Sequence, residues 1–85
     1  MTHDDAVAAV AKVMGQVAPE AELDLVDPAA DLRAELDLDS MDFLNLVEGL
    51  KEETGVDIPE SAYAQVRSLD GLADYLMAHA ADAPA

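Results

Sequence analysis

There is no cysteine in this chain of 85 residues. Without thiols it can form neither a disulfide, nor a thiolate zinc site, nor a cysteine nucleophile. Aromatic side chains are almost as scarce: Phe43, Tyr63 and Tyr75 are the whole supply. The core is therefore expected to be aliphatic, built from Leu, Val, Ile and Met. Positive charge is scarce too. Lys12, Arg33, Lys51 and Arg67 face 19 acids, for a formal net charge of −15. Such a surface repels nucleic-acid phosphates and anionic lipid, which argues against direct binding to either. It speeds encounter with basic partner surfaces, an effect that salt should weaken. The same self-repulsion should make the fold sensitive to ionic strength, with salt or divalent cations stabilising it. No apolar run approaches the length of a membrane-spanning helix. Residues 1–20 lack the basic start and unbroken apolar stretch of a secretory signal. The expectation is one cytoplasmic domain with no stable membrane insertion.

What is present reads as helix. Thr2-His3-Asp4-Asp5 has the spacing of a capping box, with Asp5 in place of the usual Glu or Gln. Ala6, Val7, Val10, Val13, Met14 and Val17 then recur at helical spacing, which predicts a first helix ending before Pro19. Pro19 and Pro28 forbid a continuous helix through residues 19–38. Asp27-Pro28 suits the start of a short turn reaching about Leu36. The rest is a long loop, which Leu23, Leu25, Val26, Leu32, Leu36 and Leu38 are expected to pin to the core.

A second long helix is predicted from Ser40 to Thr54, with Gly55 as its stop. Val56 to Pro59 form an extended link, and a short helical turn should follow over about Glu60 to Gln65. Ser68 caps a last helix whose core face carries Leu69, Leu72, Ala73, Leu76 and Ala80. Residues 81–85 are expected to be a flexible tail. The fold class is all-α: three main helices, one short helix between the last two, and a long first loop.

"DLDSMDFLNL", residues 37–46, concentrates the functional signal. With residues spaced about 100° apart on a helix, Phe43, Leu46, Val47 and Leu50 share one arc facing the core. Met41 and Leu44 fall outside it, beside Glu48 and Glu52, and form a candidate docking stripe. Scattered exposed apolar residues are ordinary, but these are grouped with acids near one serine. Either Asp39 or Ser40 has the chemistry of a helix cap. A hydrolytic serine is a poor reading, because no G-x-S-x-G elbow surrounds it and His3 and His79 are distant in sequence. A calcium loop starting at Asp37 fails as well. Met41 takes a ligand position, and Asp42 stands where the sharp turn needs glycine. A hydroxyl at a helix N-terminus can instead carry a phosphate ester made by another enzyme, facing free backbone N–H groups and the positive end of the helix dipole.

"DLDSMDFLNLVEGLKEETGVDIPE", followed by "VRSLDGLADYL", resembles the acyl carrier protein family. The resemblance covers nearly the whole chain and implies a four-helix bundle acting as a monomer. It implies that Ser40 carries 4′-phosphopantetheine donated by coenzyme A, with Asp39 and Met41 as its motif neighbours. Acyl groups would ride on the arm as thioesters, and the chain itself would be no enzyme. Its partners would be a phosphopantetheinyl transferase and acyl-transferring and ketosynthase-type enzymes. These would dock through basic surfaces on Met41, Asp42, Leu44, Glu48 and Glu52. Phe43, Val47 and Val66 would border the cargo pocket.

Five positions depart from the family pattern. Asp37 stands where many members have glycine, and Asn45 where an acid is common. Glu48 replaces a frequent apolar residue, and Lys51 interrupts the acidic run. Phe43 is the fifth: a ring pointing inward below Ser40 either packs as an ordinary core residue or occupies space otherwise open to a long acyl chain. Two other readings stay open on the residues alone, an acidic helical adaptor with no prosthetic group and a peptidyl or aminoacyl carrier.

Overall fold

In the computed structural model, residues 1–80 are described, so the expectation for 81–85 lies outside the described residues. Four α-helices occur in the order α1 (His3–Val17), α2 (Leu32–Glu35), α3 (Ser40–Thr54) and α4 (Leu69–Ala80). Two 3₁₀ turns interleave with them, at Leu23–Leu25 and Glu60–Ala62. The four-helix, all-α expectation holds.

Each long helix begins where its sequence supplies a cap. The Thr2 hydroxyl accepts from the Asp5 N–H while Asp5 accepts from the Thr2 N–H, so the capping box at α1 is reciprocal. Ser68 Oγ accepts from the Gly71 N–H at 3.0 Å and starts α4. Helix α3 stops at Gly55, whose φ of 77° is a left-handed conformation that costs glycine nothing.

Helix α1 packs along both α3 and α4. It buries Ala6, Val10, Val13 and Met14 against Phe43, Leu46, Val47 and Leu50 of α3 and Leu69, Leu72, Ala73 and Leu76 of α4. Gly49 makes the approach of α1 to α3 possible: a Cβ there would sit 2.5 Å from Val13 Cγ1. No described side-chain polar atom is buried without a partner, so the core is aliphatic apart from Phe43.

The region after α1 is more ordered than a plain loop and differs from the expectation in two ways. The single turn expected over 27–36 is two features. Asp27 Oδ1 accepts from the Ala29 N–H in a tight turn, and α2 then starts separately under an Asp31 cap. Leu25 does not pin the segment; it is 77% exposed. At about three residues per 3₁₀ turn, Leu23 and Val26 fall on one side and Leu25 on the other. Val26, Leu32 and Leu38 do the anchoring instead. The helical turn expected over 60–65 is a 3₁₀ turn at Glu60–Ala62, continued by non-helical turns.

The segment is also stitched to the entry of α4. The Leu32 N–H donates to the Arg67 carbonyl at 2.7 Å and the Asp70 N–H to the Pro28 carbonyl at 3.0 Å. These bonds hold the start of α2 beside the start of α4.

Candidate functional site

The start of α3 resolves which residue is the cap. Asp39 occupies that position with extended backbone, and its Oδ1 accepts from the Asp42 N–H at 2.8 Å. Asp42 Oδ2 reaches back to the Asp39 N–H at 3.4 Å. The two acids therefore do the capping, and Ser40 is the first helical residue. It is exposed, and its hydroxyl carries no structural duty to the backbone. Helix geometry leaves the Ser40 and Met41 amides without an intrahelical acceptor beside it.

Asp37 precedes this cap with a φ of 54°. A residue with a Cβ is sterically strained in that region, and Asp tolerates it better than most. The departure at position 37 thus has a physical meaning: the backbone takes a shape suited to glycine.

A groove of about 460 Å³ opens next to the serine, lined by Asp31, Arg33, Ala34, Leu38, Phe43, Tyr63, Ala64 and Arg67. Its floor is apolar. Phe43 is buried and its ring meets that of the half-buried Tyr63 edge-on in the groove lining. Val47 and Val66 are buried in the core and are not part of the groove wall.

The rim is charged. Arg33 Nη2 donates to Ser40 Oγ at 3.1 Å. Asp31 Oδ1 accepts from the Arg33 N–H at 2.9 Å, and Asp31 Oδ2 from Arg67 Nη2 at 3.2 Å. Partial desolvation works to raise the Asp31 pKa. The Arg33 backbone bond and the Arg67 guanidinium outweigh it and hold the carboxyl below the ordinary carboxylate value.

Along α3, Met41 (62%) and Leu44 (37%) are exposed, and so are Glu48 and Glu52. Asp42 is half-buried and engaged in the cap. The structure therefore brings Ser40, Asp39, Asp42 and Phe43 together at one end of α3, with the Met41–Leu44–Glu48–Glu52 stripe running away from it. Asp31, Arg33, Tyr63 and Arg67 join the site without having been singled out in the sequence. The signal available for the arginines was their rarity, since two of only four bases flank this groove.

Residues 6–76 match the family described as a phosphopantetheine attachment site. The chain is 33% identical over 75 residues to "Acyl carrier protein 2, mitochondrial" of Arabidopsis thaliana, covering 88% of this chain and 56% of that protein. It is 32% identical over 54 residues to an acyl carrier protein of Rubrobacter xylanophilus, covering 64% of this chain and 67% of that one. A similar match, 33% over 54 residues, is to an acyl carrier protein of Cyanidioschyzon merolae, covering 64% and 59%. The chain thus spans little more than half of the first relative's length.

Proposed function

This chain belongs to the acyl carrier protein family, which implies a covalently attached 4′-phosphopantetheine, and on that premise we propose that the group is carried on Ser40 Oγ. The observation that carries the reading is the division of labour at the start of α3. Asp39 and Asp42 satisfy the cap, so the Ser40 hydroxyl stands in solvent, free to be esterified. The surroundings fit the group: unpaired amides and a guanidinium meet the phosphate end, and the groove offers an apolar floor to the rest of the arm.

The arm supplies a thiol on which an acyl group is held as a thioester. This chain contributes position and recognition. Tethering holds cargo at high effective concentration beside each enzyme without requiring tight binding. The exposed Met41 and Leu44, flanked by Glu48 and Glu52, support a docking face for enzymes with basic surfaces. Charge of this kind gives fast, readily reversed encounters, which suits a shuttle with several partners.

The cargo proposed is short or polar. The edge-on packing of Phe43 against Tyr63 supports this, because a long chain entering toward Val47 and Val66 would have to displace both rings. The delivery route is a fatty-acid, polyketide or specialised lipid pathway, and the departures at Asp37, Asn45, Glu48 and Lys51 favour a specialised one.

Incubation with coenzyme A and a phosphopantetheinyl transferase, followed by intact-mass measurement, tests the reading. One arm's mass should be gained and Ser40→Ala should abolish the gain. No gain with any transferase would leave an acidic adaptor as the better account.

A further inference from the structure

The four cations of this chain are shared unevenly among its acids. Lys12 pairs with Glu53 at 3.0 Å, Lys51 with Asp57 at 3.9 Å and Arg67 with Asp31 at 3.2 Å. Among the described residues, Arg33 is the one Lys or Arg with no carboxylate at ion-pairing distance. With 19 acids in the chain, a partner should be easy to find. The guanidinium is instead held against a neutral hydroxyl, that of Ser40. Its backbone is firmly placed. The Arg33 N–H is bonded to Asp31, its carbonyl accepts from the Leu38 N–H at 2.9 Å, and the adjacent Leu32 is fully buried.

We propose that Arg33 is a positioning residue that grips the phosphodiester of the arm on Ser40 and so directs the arm over the groove floored by Leu38, Phe43 and Tyr63. This rests on attachment at Ser40.

Esterification puts a new negative charge at Ser40 Oγ, with the carboxylates of Asp39 and Asp42 close by in a chain already at −15. Like charges so close repel, and a cation already aimed at that oxygen offsets them. The guanidinium suits the task, because its planar fork can meet two phosphate oxygens at once. No ion pair need be broken to free it, whereas Arg67 would have to leave Asp31. The Ser40 and Met41 amides face the same position and add donors of fixed direction. Arg33 also lines the groove. An arm held there leaves the Met41–Leu44 face clear for a docking enzyme.

The test compares wild type, Arg33→Lys, Arg33→Gln and Lys51→Gln, the last removing one positive charge elsewhere. Each is loaded with excess transferase and coenzyme A until intact mass shows a single holo species. The ³¹P resonance of the diester and the melting temperatures of the apo and holo forms are then measured. Arg33→Gln should displace the resonance and lower the holo-minus-apo melting difference by about 2–5 °C. Arg33→Lys should fall between, and Lys51→Gln should match wild type in both readouts. A wild-type resonance and melting difference in Arg33→Gln would overturn the grip while leaving attachment intact. Wild-type protein that gains no mass would overturn attachment itself. If Arg33→Gln loads too poorly to measure, Arg33→Lys decides, and values equal to wild type overturn the proposal.

Discussion

Phe43 and Tyr63 meet edge to face, with ring centroids 5.3 Å apart and planes at 79°. Both rings line the groove beside Ser40, whereas the buried Val47 and Val66 do not. In a chain with three aromatic residues, two stand together in that lining.

The paired rings should limit which cargo the fold shelters. Each newly buried methylene adds about 0.8 kcal/mol. On loading the holo protein with acyl groups of increasing length, wild type should stop gaining thermal stability at short chains. In Tyr63→Ala the gain should continue into longer ones. That variant loses about 1–3 kcal/mol of its own from the half-buried ring and the aromatic pair, so each series is read against its own unloaded holo form. Steady gains up to long chains in wild type would defeat the short-cargo reading.

Asp37→Gly should stabilise the fold by about 0.5–1 kcal/mol, because it relieves a left-handed conformation at φ 54°. Asp37→Ala removes the same charge and keeps the strained Cβ. Thermal melts should therefore rank Gly above wild type and Ala at or below it; equal gains in both would trace the effect to charge alone.

Asp39 has a structural duty and, on the proposed function, a recognition duty. Asp39→Ala should cost about 1 kcal/mol of stability through loss of the cap, whereas Asn retains an accepting oxygen and should cost a few tenths. If the charge also guides the transferase, Asp39→Asn should slow loading at low salt with little change in melting temperature. Loading at the wild-type rate in Asp39→Asn would confine this residue to capping.

Acid should weaken the groove rim. Asp31 is held below the ordinary value of 3.8, so its folded form binds its proton less readily than its unfolded form. Its contribution to stability is present above pH 3.8 and is lost as pH falls through the lower folded value. Asp5 behaves likewise, lowered by the Thr2 backbone bond and then by the Thr2 hydroxyl. Denaturation of wild type and Asp31→Asn across this range should show a stability difference at neutral pH that narrows below 3.8. A difference that does not change with pH would remove Asp31 from the acid response. Comparing the two proteins cancels the general relief of self-repulsion as the other carboxylates protonate.

The long helices were legible because their signals are local. Thr2 with Asp5, Ser68 with Gly71, the Gly55 stop and the periodic apolar residues each act within a turn or two of chain. The buried face of α3 and its exposed Met41 and Leu44 came from the same geometry. Leu25 misled because apolar character alone does not say which side of a 3₁₀ turn a residue takes.

Composition and short-range spacing are enough to specify a very acidic, cysteine-free helical chain with a serine at the head of an amphipathic helix. Tertiary contacts, by contrast, bring Arg33 to Ser40 and set Phe43 against Tyr63 in the groove lining. Those choices depend on contacts between segments: a loop bonded to the α4 entry places Arg33, and chain folding brings together two rings twenty residues apart. No local pattern records which of several chemically suitable partners folding will bring within about 3 or 4 Å (the reach of a hydrogen bond or van der Waals contact).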